Sequence, residues 1–88
     1  MDSSQVDRSD IGEGRYANYV EIGHTANEFV FDFGQVWGNG DTRRLYVRVV
    51  MTPETAERLF EALKDGLTGY DRTFGDIRHN SDEDEKTA

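Results

Sequence analysis

The sequence predicts an α+β fold, a three-stranded antiparallel β-meander packed against one long C-terminal α-helix, with disordered acidic termini. Three observations predict it. Apolar residues alternate with period two in three successive segments, the spacing of strands. The connections between those segments are short and polar, which favours antiparallel neighbours. The last apolar segment switches to steps of three and four directly after Thr52-Pro53-Glu54, as a capped amphipathic helix does.

Residues 1–14 are polar and read as a disordered arm, 15–75 as a single β-β-β-α domain, and 76–88 as a disordered acidic tail. The first strand is expected over Tyr16 to Ile22, with Tyr16, Val20 and Ile22 on one face, Asn18 among them, and Ala17, Tyr19 and Glu21 on the other. Gly23 to Asn27 reads as a hairpin connection in which Gly23 and Asn27 supply positive φ. The second strand, Glu28 to Gln35, alternates Phe29, Phe31 and Phe33 with Val30, Asp32 and Gly34. Three aromatics on one face require a cover. Trp37-Gly38-Asn39-Gly40 is a turn cluster. The third strand, Thr42 to Met51, sends Leu45, Val47, Val49 and Met51 one way, and Arg44, Tyr46, Arg48 and Val50 the other.

Thr52 suits the helix N-cap, Pro53 the first helical position, and Glu54 the positive end of the dipole. Ala56, Leu59, Phe60, Leu63, Leu67, Tyr70 and Phe74 then form one stripe, and Gly75 closes the helix as a left-handed C-cap. Gly66 and Gly69 either admit another backbone closely or mark a bend.

The chain has 88 residues, 35% of them hydrophobic and 32% charged, so apolar material for a core is thin. It has no cysteine, which excludes disulfides and thiolate metal sites. Self-association is the leading way to stabilise so small a core. The net charge of −8 opposes binding to nucleic acid or anionic lipid. An acidic, lysine-poor surface fits salt adaptation, and ordinary solubilising charge is the simpler account. No segment has the length and apolarity of a membrane span, and the N-terminus lacks the basic and apolar regions of a secretory signal. A cytoplasmic location is the default expectation.

Geometry also argues for association. A helix from Pro53 to Phe74 spans about 33 Å at ~1.5 Å per residue. An eight-residue strand spans about 26 Å. The last helical turns, with Leu67, Tyr70 and Phe74, are expected to overhang the sheet. The far sheet face still carries Tyr19, Val30, Tyr46 and Val50. The simplest partner is a second copy.

The segments Arg15-Tyr16-Ala17-Asn18-Tyr19, Glu28-Phe29-Val30-Phe31-Asp32-Phe33-Gly34 and Arg48-Val49-Val50-Met51-Thr52-Pro53-Glu54 precede a helix ending Tyr70-Asp71-Arg72-Thr73-Phe74-Gly75. In these blocks, over roughly Tyr16 to Gly75, the chain resembles the prokaryotic family known as domain of unknown function 3467. The resemblance implies a strand-strand-strand-helix unit. It implies no reaction or ligand, and no functional residue is carried over.

Candidate chemistry is sparse. Asp32-Phe33-Gly34 spells the metal-binding triplet of protein kinases, but no glycine-rich phosphate loop or catalytic loop accompanies it. It reads as an outward Asp between core phenylalanines. His24 and His79 are the only histidines, and neither has evident co-ligands. Glu21, Glu28 and Asp32 could gather on adjacent strands, yet general acid–base work needs a cleft that a domain of this size has little room for. Arg43, Arg44 and Arg48 give the third strand a basic character. They read first as cross-strand partners of Glu21, Glu28 or Asp32. Alternatively they are nucleic-acid contacts of a β-ribbon. Trp37 reads as folded over the core edge, with an exposed partner anchor as the alternative.

The expected protein is therefore non-enzymatic and without a cofactor, a homodimeric interaction module or adaptor subunit with room for a further protein partner. Its candidate interface is Phe60, Leu63, Leu67, Tyr70, Phe74, Trp37 and Tyr46. The alternative is a small DNA-binding regulator using Arg43, Arg44 and Arg48.

Overall fold

A computed structural model describes residues 5–77. The first four residues of the proposed arm, His79 and the proposed acidic tail from residue 78 onward lie outside the described residues. Three strands, β1 (Tyr19–His24), β2 (Phe29–Trp37) and β3 (Thr42–Met51), precede one helix, α1 (Pro53–Phe74). The strands form a single antiparallel sheet in the order β1-β2-β3, so β2 is central. The expected elements are all present and in the expected order. Residues Gln5 to Asn18 lie outside any strand or α-helix.

β1 begins later than its alternation predicts, because Asn18 ends the ladder with its side chain. Its backbone N–H donates to the Gly34 carbonyl at 3.0 Å. Its Oδ1 accepts from the Val36 N–H at 2.9 Å, and its Nδ2 donates to the Val36 carbonyl at 3.3 Å. The side-chain amide thus takes the place of the next peptide, and Tyr16 and Ala17 need not pair.

The β1–β2 connection also differs from expectation. Neither Gly23 nor Asn27 has positive φ. Gly23 lies within β1, and Thr25 makes the turn instead. Its N–H donates to the Glu28 carbonyl at 2.9 Å, and its hydroxyl accepts from the N–H groups of Asn27 and Glu28. A threonine hydroxyl substitutes here for an unusual backbone conformation. The β2–β3 turn does need glycine: Gly38 and Gly40 have φ of 63° and 99°.

β3 carries one extra residue opposite Gly34. Phe33 faces Val47, but Gly34 faces Leu45, which leaves Tyr46 unmatched in a β-bulge. Gly34 makes the bulge possible, since a Cβ there would lie 1.8 Å from the Arg44 carbonyl oxygen. The bulge shifts the parity of the first part of β3. Arg44 therefore faces Gln35 and Arg43 faces Val36, so Arg44 does not share a face with Arg48 as simple alternation predicts.

α1 begins as its sequence dictates. The Thr52 hydroxyl accepts from the Thr55 N–H at 3.1 Å, Pro53 occupies the first turn, and Glu54 lies near the positive end of the dipole. The helix runs through Gly66 and Gly69 without a break. Gly75, at φ 86°, ends it by donating to the Asp71 carbonyl at 2.8 Å. Its ψ of −172° places it in an extended glycine region, not the left-handed helical one anticipated.

The helix covers less of the sheet than the predicted packing implies. It touches β3 and the Phe29 corner near its start, where Phe29, Pro53, Ala56 and Phe60 line one shallow groove. Ala56 is its only part-buried residue, and none is fully buried. The cause is the connection. Thr52 alone separates the end of β3 from Pro53, so the helix leaves the sheet edge with no loop to fold it back. Phe31, at 8% exposure, is the only buried hydrophobic side chain among the described residues.

Candidate functional site

The pairing register sorts the sheet into two faces with different chemistry, because directly opposed residues point the same way. One is apolar. Val20 faces Phe33, Ile22 faces Phe31, and His24 faces Phe29. On the other side of β2, Phe33 faces Val47, Phe31 faces Val49, and Phe29 faces Met51. The three phenylalanine rings stack along the strand with centroids 6.4–6.5 Å apart, and His24 stacks on Phe29 at 5.1 Å. His24 thus ends β1 as part of this aromatic row. Trp37 follows in the same alternation at the end of β2. It is 44% exposed, so it does not fold over the core edge as first read.

The opposite face is mixed: Val30 faces Val50, and the bulge brings Leu45 across from Gly34, while its polar residues pair with one another. Asp32 and Arg48 sit directly across β2–β3. Arg48 Nε and Nη2 donate to the two carboxylate oxygens of Asp32 at 2.7 and 2.8 Å, a bidentate fork. These hydrogen bonds hold the Asp32 carboxyl below the usual carboxylate range and raise the Arg48 guanidinium above its own. The expected cross-strand partner of Arg48 is therefore Asp32. The Tyr19 hydroxyl donates to Glu21 Oε2 at 2.5 Å, which pushes the phenol upward. The Arg43 guanidinium lies 5.4 Å from the Tyr19 ring centroid and donates to its hydroxyl at 3.5 Å, while Arg43 Nε donates to the Gly40 carbonyl at 3.3 Å. Tyr46 donates to the Tyr16 carbonyl, and the Arg15 guanidinium sits 4.1 Å above its ring.

Tyr46 is accordingly a tether for the segment before β1. It lies away from the helix residues with which it was grouped. Of the third-strand arginines, Arg48 and Arg43 are engaged within the sheet. Arg44 alone has no side-chain hydrogen bond or ion pair among the described residues. The three do not form one basic surface: Arg43 and Arg48 lie on the Asp32 face, and Arg44 lies on the phenylalanine face.

The helix residues do come together. Phe60, Leu63, Leu67, Tyr70 and Phe74 form one stripe, and all are exposed, from 46% at Leu67 to 71% at Phe74. Tyr70 and Phe74 touch, with ring centroids 5.0 Å apart. Ile77, beyond the helix, lines the same shallow groove as Phe60, Leu63 and Leu67. At this end Asp71 and Asp76 share a hydrogen bond, which raises the Asp71 carboxyl above its ordinary value.

Sequence reasoning missed three contributions: the Gly34 bulge, the Asn18 side chain that mimics a peptide, and the Arg15–Tyr46 contact. The first had a signal, since a glycine inside a strand pattern often marks a bulge. The other two depend on residues distant in sequence and had none.

Among the described residues no group of three or more His, Cys, Asp or Glu could hold a metal ion. No helix there is long and apolar enough to cross a membrane. No curated protein and no solved structure matches the chain. The family model described as "Protein of unknown function (DUF3467)" matches residues 3–79, nearly the whole chain, and the protein belongs to that family.

Proposed function

We propose that this protein is a non-enzymatic interaction module that functions as a homodimer, available as a small adaptor subunit to a further protein. One observation carries the reading. A 22-residue helix presents its apolar stripe to water, while the sheet beside it leaves Val20, Ile22, Val49 and Trp37 exposed around its half-buried phenylalanine row. Contiguous apolar surface of this extent marks a site of association. The reading as a non-enzyme draws support from the polar residues, because Asp32, Glu21, Arg48 and Arg43 are spent on one another within the sheet. The DNA-binding alternative has weaker support, since it rests on Arg44 alone against a net charge of −8.

Sedimentation velocity over a wide concentration range tests the proposal. The expected result is a species of twice the 10.0 kDa chain mass that dissociates, if at all, with loss of folded structure. A folded, soluble monomer at every concentration overturns it.

A further inference from the structure

We infer that the dimer is formed by helix exchange: α1 of each protomer lies along the phenylalanine face of the other. This rests on the homodimer reading above and specifies its geometry. The two apolar surfaces of one chain match in chemistry and length, yet they do not cover each other. The helix extends about 33 Å at ~1.5 Å per residue, and β2 extends about 30 Å at ~3.3 Å per residue. What separates them is the junction. Thr52 is extended, at φ −71° and ψ 158°, its hydroxyl is committed to the Thr55 N–H, and Pro53 locks the next φ. One capped residue and a proline leave no slack for the helix to swing back over its own sheet. A second copy, related by a two-fold axis, offers the same face without that constraint, and each helix then covers the other protomer's sheet.

The area is sufficient. The helix offers Phe60, Leu63, Leu67, Tyr70 and Phe74, and the sheet offers Val20, Ile22 and Val49, at exposures from 40% to 71%. At ~150–200 Å² for each large apolar side chain, their open fractions amount to roughly 600–850 Å² per protomer. A stable dimer buries about 800 Å² per partner. Either surface alone, paired with its own copy, supplies less. Charge agrees with exchange. The phenylalanine face carries Arg44 at its far end, without an ion pair among the described residues, whereas the helix end holds Asp71 and Asp76 close together. Helix on sheet brings Arg44 and these carboxylates onto one interface.

Isotope-filtered nuclear Overhauser spectroscopy on an equal mixture of ¹³C-labelled and unlabelled full-length chain reads the arrangement directly. Exchange predicts intermolecular contacts from the methyl groups of Leu63 and Leu67 to the rings of Phe31 and Phe33 or to the Ile22 methyls. Intermolecular contacts that run helix to helix, sheet to sheet or strand edge to strand edge, without joining Leu63 or Leu67 to that face, overturn exchange and leave the homodimer standing. A sample that sediments as a folded monomer and shows no intermolecular contacts overturns both.

Discussion

The sheet and the helix are built by the same chain to opposite standards of self-sufficiency. β2 is bonded on both edges, its aspartate is clamped by a facing arginine, and Phe31 on it is buried. α1 is as regular as β2 and well capped, yet buries none of its residues. Most helical stability in proteins comes from tertiary packing of an amphipathic face, not from propensity. The difference teaches that regular secondary structure and a completed tertiary environment are separate achievements. The sheet has much of the second within one chain; the helix has only the first.

The most severe way to break the comparison is at Phe31, the one buried apolar side chain among the described residues. Phe31→Ala should lower unfolding free energy by about 3–5 kcal/mol, measured by chemical denaturation. A loss under 1 kcal/mol would mean that the sheet has no more of a core than the helix. Next is Leu67→Ala. As a surface residue of a lone helix it should change stability by no more than about 0.5 kcal/mol. Buried against a partner it should cost about 2 kcal/mol or more, read as a weaker dimer in sedimentation. Gly34→Ala tests the bulge. Its Cβ cannot coexist with the Arg44 carbonyl, so β3 must shift. A loss of about 1–3 kcal/mol is expected, with amide shifts centred on Gly34 to Tyr46 and little change beyond Pro53. Thr52→Ala should cost about 1 kcal/mol through the lost cap. It should act on the helix first, as faster amide exchange at Ala56 and its neighbours.

The smallest effects are in pH, and they have opposite signs in the two regions. Asp32 has a lowered folded pKa, so the Arg48 contact stabilises the sheet fully above the ordinary carboxylate range. That contribution is lost as pH falls through the folded value. Asp71 has a raised folded pKa, so the helix end is favoured by protonation and loses that stability as pH rises through the folded value. Acidification should therefore loosen amides around Asp32 while protecting those around Asp71, followed by residue-resolved hydrogen exchange. Asp32→Asn should abolish the first trend and leave the second.

Much of the fold was legible in local sequence. Thr52-Pro53-Glu54 marks a helix start because capping is a contact among residues within one turn, and the structure bears it out with the Thr55 N–H. The phenylalanine alternation located β2 for a similar reason, since a strand's faces follow from its own period. The first strand was placed less well, because the Asn18 side chain competes with the ladder, and its bonds to Val36 cross 18 residues. Arg44 was grouped on one face with Arg48 because alternation assumes an unbroken register, which the bulge opposite Gly34 removes. The helix stripe was read correctly as a row of residues, but its partner is not a property of the row.

Local sequence was thus enough to set the element types, their order, the helix N-cap and the phenylalanine side of the central strand. These depend on neighbours a few residues apart, where propensity and periodicity act. It took the folded chain to bring Asp32 to Arg48, to part Arg44 from Arg48, and to leave the helix touching the sheet only near its start. Each of those is set by register, a bulge and the direction of one short connection. They are relations between distant segments, which no local pattern encodes.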